Sequence, residues 1–201
     1  MNFIWIMIYD NLSLVEGKRF FEFFRLRVGM GILTRDEILK EIEQGSIKIE
    51  PFSLEQLGPA SVDLHLSNEF RIFRNMREVV EIRDGANYED VTEKVTVNDH
   101  LILMPGEMVL GITMEKITLS SNICGWLEGR SRFARLGLLV HISTSFMQPG
   151  ISNKQCLEIS NFSPMPLGLY PGTAICQFIF QRTVGRAIYE GKFRRQDEDN
   201  F

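Results

Sequence analysis

Apolar and polar residues alternate with a period of two through much of the chain after residue 45, the spacing of strands with one buried face. Ser46–Glu50 and Ser61–Leu66 alternate most clearly, and the second places Ser61, Asp63 and His65 on one face. Further strands are predicted at Glu78–Ile82, His100–Met104, Met108–Met114, Ile123–Leu127, Gln155–Asn161, Leu167–Tyr170 and Ala174–Gln181. Turn sequences separate them at Asp84-Gly85, Pro105-Gly106, Pro149-Gly150 and Pro171-Gly172. Many short strands at this spacing predict a mainly β barrel or jelly roll.

Helical spacing appears at two places. Thr34 followed by Glu37 is a capping-box pattern, Ile38 and Ile42 then share a face, and Gly45 can end the helix. A second, shorter helical turn is predicted between strands, within residues 129–137. The expected fold is therefore a β barrel with a short N-terminal helix and one short helical turn.

Composition and charge narrow the class of protein. The chain has 201 residues, 44% of them hydrophobic, and a net charge of −4, so bulk charge gives no support for a nucleic-acid polymer as partner. Three widely spaced cysteines, Cys124, Cys156 and Cys176, indicate neither a disulfide framework nor a zinc ribbon. A protein of the reducing cytoplasm is expected, with the cysteines as small buried apolar residues.

The N-terminal residues contain two unusual stretches. Met1–Tyr9 is apolar but too short to span a bilayer, and Lys18–Arg27 mixes aromatic and cationic residues. We interpret residues 1–29 as a docked extension, or as residues preceding a start at Met30, in preference to a membrane anchor. No membrane partner is expected.

Candidate chemistry begins at Gly129–Gly137, which places three arginines and a serine within six residues. If Arg130, Ser131 and the free amides of the helical turn point the same way, they form an anion site suited to phosphate. Arg135 lies four residues after Ser131 and can share its face. The alternative is a surface helix whose arginines cover the core, and composition does not decide between the two.

A single glutamate is the second candidate. Glu158 lies in a predicted strand where Leu157 and Ile159 face the opposite way. Beside Cys156 and Ser160, it can be a carboxylate in a half-buried site that acts as a general base. The alternative is an ordinary glutamate facing solvent.

These residues resemble a known family. Glu128–Gly137, followed by Leu138–His141, is similar to the G-R-S-S-L-A-R-L-G-L-x-V-H motif of the dCTP deaminase family. Residues at the family's spacing follow without a gap: Pro149-Gly150, Leu157-Glu158, Ser160-Asn161 and Pro171-Gly172. Gly58–Leu64 and Pro105–Glu107 resemble its earlier segments. The resemblance covers about residues 30–196.

The resemblance implies a fold and an assembly. The fold is the distorted β barrel shared with trimeric dUTPases, and the assembly is a homotrimer with active sites between subunits. We expect an extension over residues 1–29, a catalytic barrel over 30–187 and a mobile C-terminal lid over 188–201. Trimer and hexamer both remain open.

The resemblance also implies residue roles. Glu158 matches the catalytic glutamate, Ser131 and Arg135 match its supporting pair, and Arg130 matches a triphosphate ligand. The expected substrate-binding set is Arg130, Ser131, Arg132, Phe133, Ala134, Arg135, Gln148, Cys156, Leu157, Glu158, Tyr189, Lys192 and Gln196. The last three resemble residues that close over the nucleotide, although the interval from Tyr189 to Lys192 is short for the family.

The implied reaction is hydrolysis of dCTP to dUTP and ammonia, with dTTP as a candidate inhibitor. Zinc deaminases carry H-x-E and P-C-x-x-C motifs, and neither occurs in this sequence. We therefore expect no zinc and no metal held by protein side chains. Glu158 would carry protons from water to the base, and Mg²⁺ would arrive with the triphosphate.

Two departures from the family pattern leave alternatives open. Arg132 and Phe133 replace a serine and a leucine, and Gln148 replaces an aspartate that helps activate water in dUTPases. An amide hydrogen-bonds but is a poor base. Gln148 therefore argues against a bifunctional enzyme that also cleaves the triphosphate. A nucleotide-binding protein that has lost catalysis on the same fold is the other alternative.

Overall fold

A computed structural model of the protein describes residues 31–197, 199 and 201. The predictions for the N-terminal stretch, including Met1–Tyr9 and Lys18–Arg27, lie outside these residues. No helix within the described ranges is long and apolar enough to cross a membrane.

The first described element is helix α1, Arg35–Glu43. Thr34 is its N-cap residue, and Gly45 follows the helix with a φ of 74°, as expected of a residue that ends a helix. The predicted capping box is wrong, because the Thr34 side chain makes no capping hydrogen bond. The Glu37 carboxylate instead pairs with Lys40 at 2.5 Å and with Arg182 at 2.9 Å. Two cations compete successfully with one backbone amide for this carboxylate.

Antiparallel strands are the main regular elements of the remaining chain. They are β1 (Ile47–Glu50), β2 (Val62–Phe73), β3 (Thr92–Thr96), β4 (Leu101–Leu103), β5 (Met108–Leu119), β6 (Ile123–Gly129), β7 (Leu138–Val140), β8 (Phe146–Met147), β9 (Ser152–Asn161), β10 (Leu167–Leu169) and β11 (Ala174–Arg182). The main sheet runs β7-β9-β5-β2-β11-β6-β8, with β1 added on β5 and β3 on β2. Strands β4 and β10 form a separate pair. The expected mainly β class is confirmed.

Four short helical segments lie between or after the strands. Helix α2, Ser131–Ala134, lies between β6 and β7 and confirms the predicted helical turn. Two 3₁₀ turns lie at Leu54–Gln56 and Tyr88–Val91, and a third lies near the C-terminus at Lys192–Arg195.

One strand prediction is wrong. Glu78–Ile82 is irregular, and Val79 and Ile82 are 89% and 88% exposed, because no neighbouring strand covers their alternating pattern. Strands β3, β7 and β8 were not predicted, since each is too short or too polar to show a clear period.

The core lies under the main sheet and decides which side chains of β9 reach the site. Leu157 and Ile159 are fully buried in the core cluster, together with Phe178 and Phe180. Because side chains alternate along a strand, Cys156 and Glu158 face the other way. The alternation predicted for Glu158 is therefore confirmed.

Candidate functional site

The opposite face of β9 forms the floor of a cavity of about 770 Å³. Glu158 and Cys156 rise from this floor, and residues from the loop after β7 form one wall. Apolar side chains, among them Leu110, Phe146 and Met147, line much of the rest. A carboxylate among apolar walls is the usual arrangement of a site that binds a small organic molecule and acts on it.

Two hydroxyl groups hold the Glu158 carboxylate. Ser143 donates to Oε2 from its Oγ at 3.0 Å and from its backbone N–H at 3.3 Å, and Thr144 Oγ1 donates to Oε1 at 3.1 Å. Each carboxylate oxygen therefore has a partner that fixes its direction.

The bend that delivers these hydroxyls is made by His141. Its φ of 59° is left-handed, an uncommon conformation for any residue except glycine. Its backbone N–H bonds Glu158 O at 2.9 Å, and its ring Nε2 lies 3.0 Å from Thr144 O. Because a carbonyl only accepts, Nε2 donates this hydrogen bond. That buried Nδ1 has no hydrogen-bond partner among the residues that the structure describes, and His141 lines the cavity.

The arginine-serine segment lies at a different place in the chain's structure. Arg130 pairs with Asp63 at 3.0 Å and donates to Ala174 O at 3.0 Å. Ser131, Arg132 and Ala134 are exposed on α2, Arg135 follows them exposed, and Phe133 packs against the core. Gly137 ends the turn with a φ of 84°, where a Cβ would lie 2.7 Å from Ser163. The motif's glycine is thus required by both backbone conformation and space.

The predicted site residues therefore divide into two sets. Gln148, Cys156, Tyr189 and Gln196 line the cavity with Glu158. Within the described chain, Glu158 makes no hydrogen bond with Ser131 or Arg135, and none of residues 130–135 lines the cavity. One chain thus presents a carboxylate set and a separate cationic set.

Two more of the predicted substrate-binding residues, Leu157 and Lys192, lie outside the cavity lining. Leu157 is fully buried in the core, so its side chain does not line the cavity. Lys192 lies beside the cavity wall without lining it, with Nζ 3.4 Å from Asn87 Oδ1 and 5.7 Å from the centre of the Tyr88 ring. The alternation of β9 explains the first, and the neighbouring aromatic ring explains the second.

Sequence reasoning missed Ser143 and Thr144. The signal is in the strand pairing: Val140 lies opposite Ile159, and the next pair along the ladder is His141 and Glu158. A hydroxyl two residues beyond that pair can reach the carboxylate. The pairing of β7 with β9 was not predicted, so the signal was not available from the sequence pattern alone.

A family profile described as dCTP deaminase-like matches residues 32–183. The chain belongs to the dCTP deaminase-like family. Relatives named "dCTP deaminase, dUMP-forming" are 37% identical over 174 residues in Parafrankia sp. (82% of this chain, 86% of the relative) and 40% identical over 174 residues in Nocardioides sp. (82% and 91%). A relative of the same name in Methanothermobacter thermautotrophicus is 38% identical over 156 residues (76% and 79%).

The fold of the family is confirmed by a solved structure. The crystal structure of 2′-deoxycytidine 5′-triphosphate deaminase from Agrobacterium tumefaciens superposes with a TM-score of 0.61 at 21% identity. It covers 76% of this chain, which spans about half (48%) of that longer one. The mainly β fold expected from the sequence is therefore shared with a solved dCTP deaminase structure.

Proposed function

We propose that this member of the dCTP deaminase-like family hydrolyses the 4-amino group of dCTP, with Glu158 as the general base. The observation that supports this most directly is the hydrogen-bonded Glu158 carboxylate in a cavity of small-molecule size. The family membership and the printed names of the relatives supply the substrate. All three cysteines are free, which fits an enzyme of the reducing cytoplasm.

The chemistry is a water addition followed by loss of ammonia. Glu158 takes a proton from a water molecule while the water oxygen bonds to C4 of cytosine. Glu158 then passes that proton to N3. A second proton then moves through Glu158 from the new hydroxyl group at C4 to the 4-amino group, and the C4–N bond breaks to release ammonia. A C4 carbonyl remains, so dCTP and water give dUTP and ammonia. General acid–base catalysis of this kind contributes roughly 10²–10⁴-fold, and orientation of the water in a dry cavity supplies more.

A second copy of the chain completes the proposed site. Ser131 and Arg135, which we expect to orient the water and to support the Glu158 carboxylate, make no hydrogen bond with Glu158 among the residues that the structure describes. Their exposure on and after α2 leaves them available to a neighbour's Glu158 cavity. We therefore propose that each active site lies between two subunits of a homotrimer. In a closed ring of three subunits, every Glu158 cavity meets the arginine-serine segment of a neighbour, so no site is left incomplete.

Phosphate binding falls to the cationic set. The side chains of Arg132 and Arg135 make no hydrogen bond or ion pair within residues 31–197, and Arg130 retains free guanidinium donors beyond its two contacts. No group of three His, Cys, Asp or Glu side chains within the described chain is arranged to hold a metal ion. A Mg²⁺ ion would accordingly be held by phosphate oxygens and water, and would neutralise charge on the triphosphate.

Cleavage of the product to dUMP and pyrophosphate is a second candidate function. It is favoured by the words "dUMP-forming" in the names of the relatives. Against it stands Gln148, which lines the Glu158 cavity and has an amide where a base would be needed. We propose dUTP as the released product. dTTP remains the candidate inhibitor, because its base carries a carbonyl at C4 and cannot lose an amine.

The product distribution tests this proposal. Purified protein is incubated with dCTP and Mg²⁺, and nucleotides are separated by anion-exchange chromatography over time. Accumulation of dUTP that does not decline supports the proposed reaction. Direct appearance of dUMP and pyrophosphate would establish the second function, and unchanged dCTP with measurable binding would indicate a binding protein.

Complementation tests the composite site. Glu158→Gln and Arg135→Ala subunits, each expected to be inactive, are mixed in equal amounts, unfolded and refolded together. Random assortment leaves about a quarter of the sites with an intact glutamate from one subunit and an intact arginine from another. Recovery of about that fraction of wild-type activity supports sites between subunits, whereas no recovery would contradict them.

A further inference from the structure

The side chain of Phe201 is fully buried, although it lies at the end of a polar, charged segment. It forms a small apolar cluster with Leu110 and Ile112 of β5, with Tyr88 and Cys156 packed against it. This cluster is separate from the main core. Burial of the phenylalanine side chain is favourable, and this free energy holds Phe201 in the cluster.

Arg71 reinforces this position from the side. Its Nε donates to the main-chain oxygen of Phe201 at 2.6 Å, and its guanidinium lies 5.9 Å from the Phe201 ring centre and 5.3 Å from the Tyr88 ring centre. Arg71 belongs to β2 and also donates to Thr92 Oγ1 at 3.3 Å. A rigid strand therefore holds both the ring and the backbone of Phe201.

Residues 188–197 cross the Glu158 cavity. Tyr189, Phe193 and Gln196 line it, and we call residues 188–197 the covering segment. Its main chain is attached at intervals to β9 and to the turn before it: Tyr189 N to Pro149 O at 2.9 Å, Asn153 Nδ2 to Phe193 O at 2.6 Å, and Lys154 N to Gln196 O at 2.9 Å.

The floor of the cavity and the Phe201 cluster share strands. Leu110 pairs with Glu158 and Ile112 pairs with Cys156 in the ladder between β5 and β9. Phe201 thus packs on the two β5 residues that lie directly opposite Glu158 and Cys156. Whatever holds Phe201 also holds the far end of the covering segment beside Glu158.

We infer that Phe201 is a positioning residue: seated against Arg71, Leu110 and Ile112, it holds the covering segment over the Glu158 cavity and so sets the enzyme's affinity for its nucleotide. This rests on the proposed function only for the identity of the nucleotide. Without Phe201, the free protein populates the covered state less. The apparent dissociation constant rises by the inverse of that population, while a saturating nucleotide restores the covered state.

A ligand-free measurement tests the anchoring itself. The covering segment contains trypsin sites at Lys192, Arg194 and Arg195. Phe201→Ala is expected to speed cleavage there by at least about tenfold, because cleavage follows the population of the open segment. Phe201→Leu, which keeps an apolar side chain, should recover most of the protection. Phe162→Ala is the matched control, since Phe162 is 77% exposed and lies outside the cavity lining.

Cys156 provides an independent probe of the same opening. Burial raises the pKa of its thiol to about 12, so alkylation near neutral pH is slow in the wild-type protein. Removing the Phe201 ring uncovers Cys156 and should accelerate its alkylation at least about tenfold. Peptide mapping over time measures the alkylation rate of each cysteine. Cys176, fully buried in the main core, should react no faster in the variant than in the wild type.

Kinetics then connect the anchor to the nucleotide. Phe201→Ala should raise KM for dCTP about tenfold and change kcat by less than about threefold. Arg71→Met should do the same, and the double variant should add little to either single one. Cleavage, alkylation and KM all unchanged in Phe201→Ala would overturn the inference. If the wild type did not turn over dCTP, the proposed function would fail, and the cleavage and alkylation rates would still decide whether Phe201 anchors the segment.

Discussion

Ser143 Oγ lies 3.0 Å from Glu158 Oε2 and donates a hydrogen bond to it, while the adjacent Thr144 holds the other carboxylate oxygen at 3.1 Å. The two residues belong to the exposed loop that follows β7, and Glu158 belongs to the rigid strand β9. These hydrogen bonds fix the direction of the carboxylate relative to the loop. A general base needs such orientation to meet a proton within hydrogen-bond reach.

Removing both hydroxyls should slow the reaction. Ser143→Ala and Thr144→Val are each expected to lower kcat about tenfold, because a hydrogen bond to a charged group contributes about 1.5–3 kcal/mol. The double variant should lose more than either single one. Steady-state kinetics with dCTP measure the effect.

The chain offers a matched control for these variants. Thr96 Oγ1 donates to Glu69 Oε1 at 2.6 Å, a threonine–glutamate pair on β3 and β2 outside the cavity lining. Thr96→Val should leave kcat at the wild-type value. Equal kcat in Ser143→Ala, Thr144→Val and the wild type would show that the loop does not orient Glu158.

Asp63 should act on nucleotide binding through Arg130. Its carboxylate pairs with the Arg130 guanidinium at 3.0 Å, and both side chains are about a quarter exposed. Pairs this exposed contribute less than about 1 kcal/mol, so Asp63→Asn should barely change the free energy of unfolding in urea. KM for dCTP should nevertheless rise severalfold, because Arg130 loses the partner that fixes its direction.

Glu81→Gln is the control for that experiment. Glu81 pairs with Arg83 at 2.7 Å on an exposed surface and is not part of the proposed site. Its KM should match the wild type. An unchanged KM in Asp63→Asn, or an equal rise in both variants, would remove Asp63 from the account.

Gln148 decides the product in this account. A carboxylate in its place could accept a proton from a water that attacks phosphorus, which an amide does poorly. Gln148→Asp is therefore expected to release dUMP and pyrophosphate from dCTP, with Gln148→Asn as the control that keeps an amide. Chromatography of the products distinguishes them. Release of dUMP by the wild type at the rate of Gln148→Asp would contradict the role given to Gln148.

Stability should fall at high pH because of buried thiols. Burial raises the pKa of Cys176 above its ordinary value of 9.0, so the folded chain keeps this proton after the unfolded chain has lost it. The unfolded state then binds fewer protons, and the free energy of unfolding decreases as pH rises above about 9. Below that pH the thiol is protonated in both states and has no effect.

Cys176→Ala removes this contribution. Urea unfolding between about pH 8 and pH 10 should give a slope less negative in the variant, by up to about 1.4 kcal/mol per pH unit. Below about pH 8 the two proteins should show the same slope of unfolding free energy against pH. Parallel slopes for wild type and variant across the whole range would show that Cys176 ionises normally in the folded chain.

The sequence predicted the parts of the site that depend on local pattern. Alternation placed Glu158 opposite Leu157, and the glycine and spacing of residues 129–137 indicated a helical turn between strands. Ser143 and Thr144 escaped because their position depends on the pairing of β7 with β9, which no local period reveals. Glu78–Ile82 shows the converse, since its alternation has no neighbouring strand to pair with.

The separation of the two sets of site residues could not be predicted from the chain pattern either. Arg135 and Glu158 lie 23 positions apart in the sequence, and the arginine segment contacts β2 and β11 through Arg130, not the cavity. Only the resemblance implied sites between subunits. The burial of Phe201, in an otherwise charged segment, has no sequence signal beyond its own apolar side chain.

Ammonia release from dCTP by the wild type and by Glu158→Gln shows whether Glu158 is the general base of dCTP deamination. Glutamine keeps the size of the side chain but has one acceptor oxygen in place of two and cannot accept the proton from water. We predict stoichiometric ammonia and dUTP from the wild type and from the exposed-residue control Glu93→Gln, and at least a roughly 10²-fold lower rate from Glu158→Gln. Deamination by Glu158→Gln at the wild-type rate would contradict the account, as would a wild-type protein that binds dCTP and releases no ammonia.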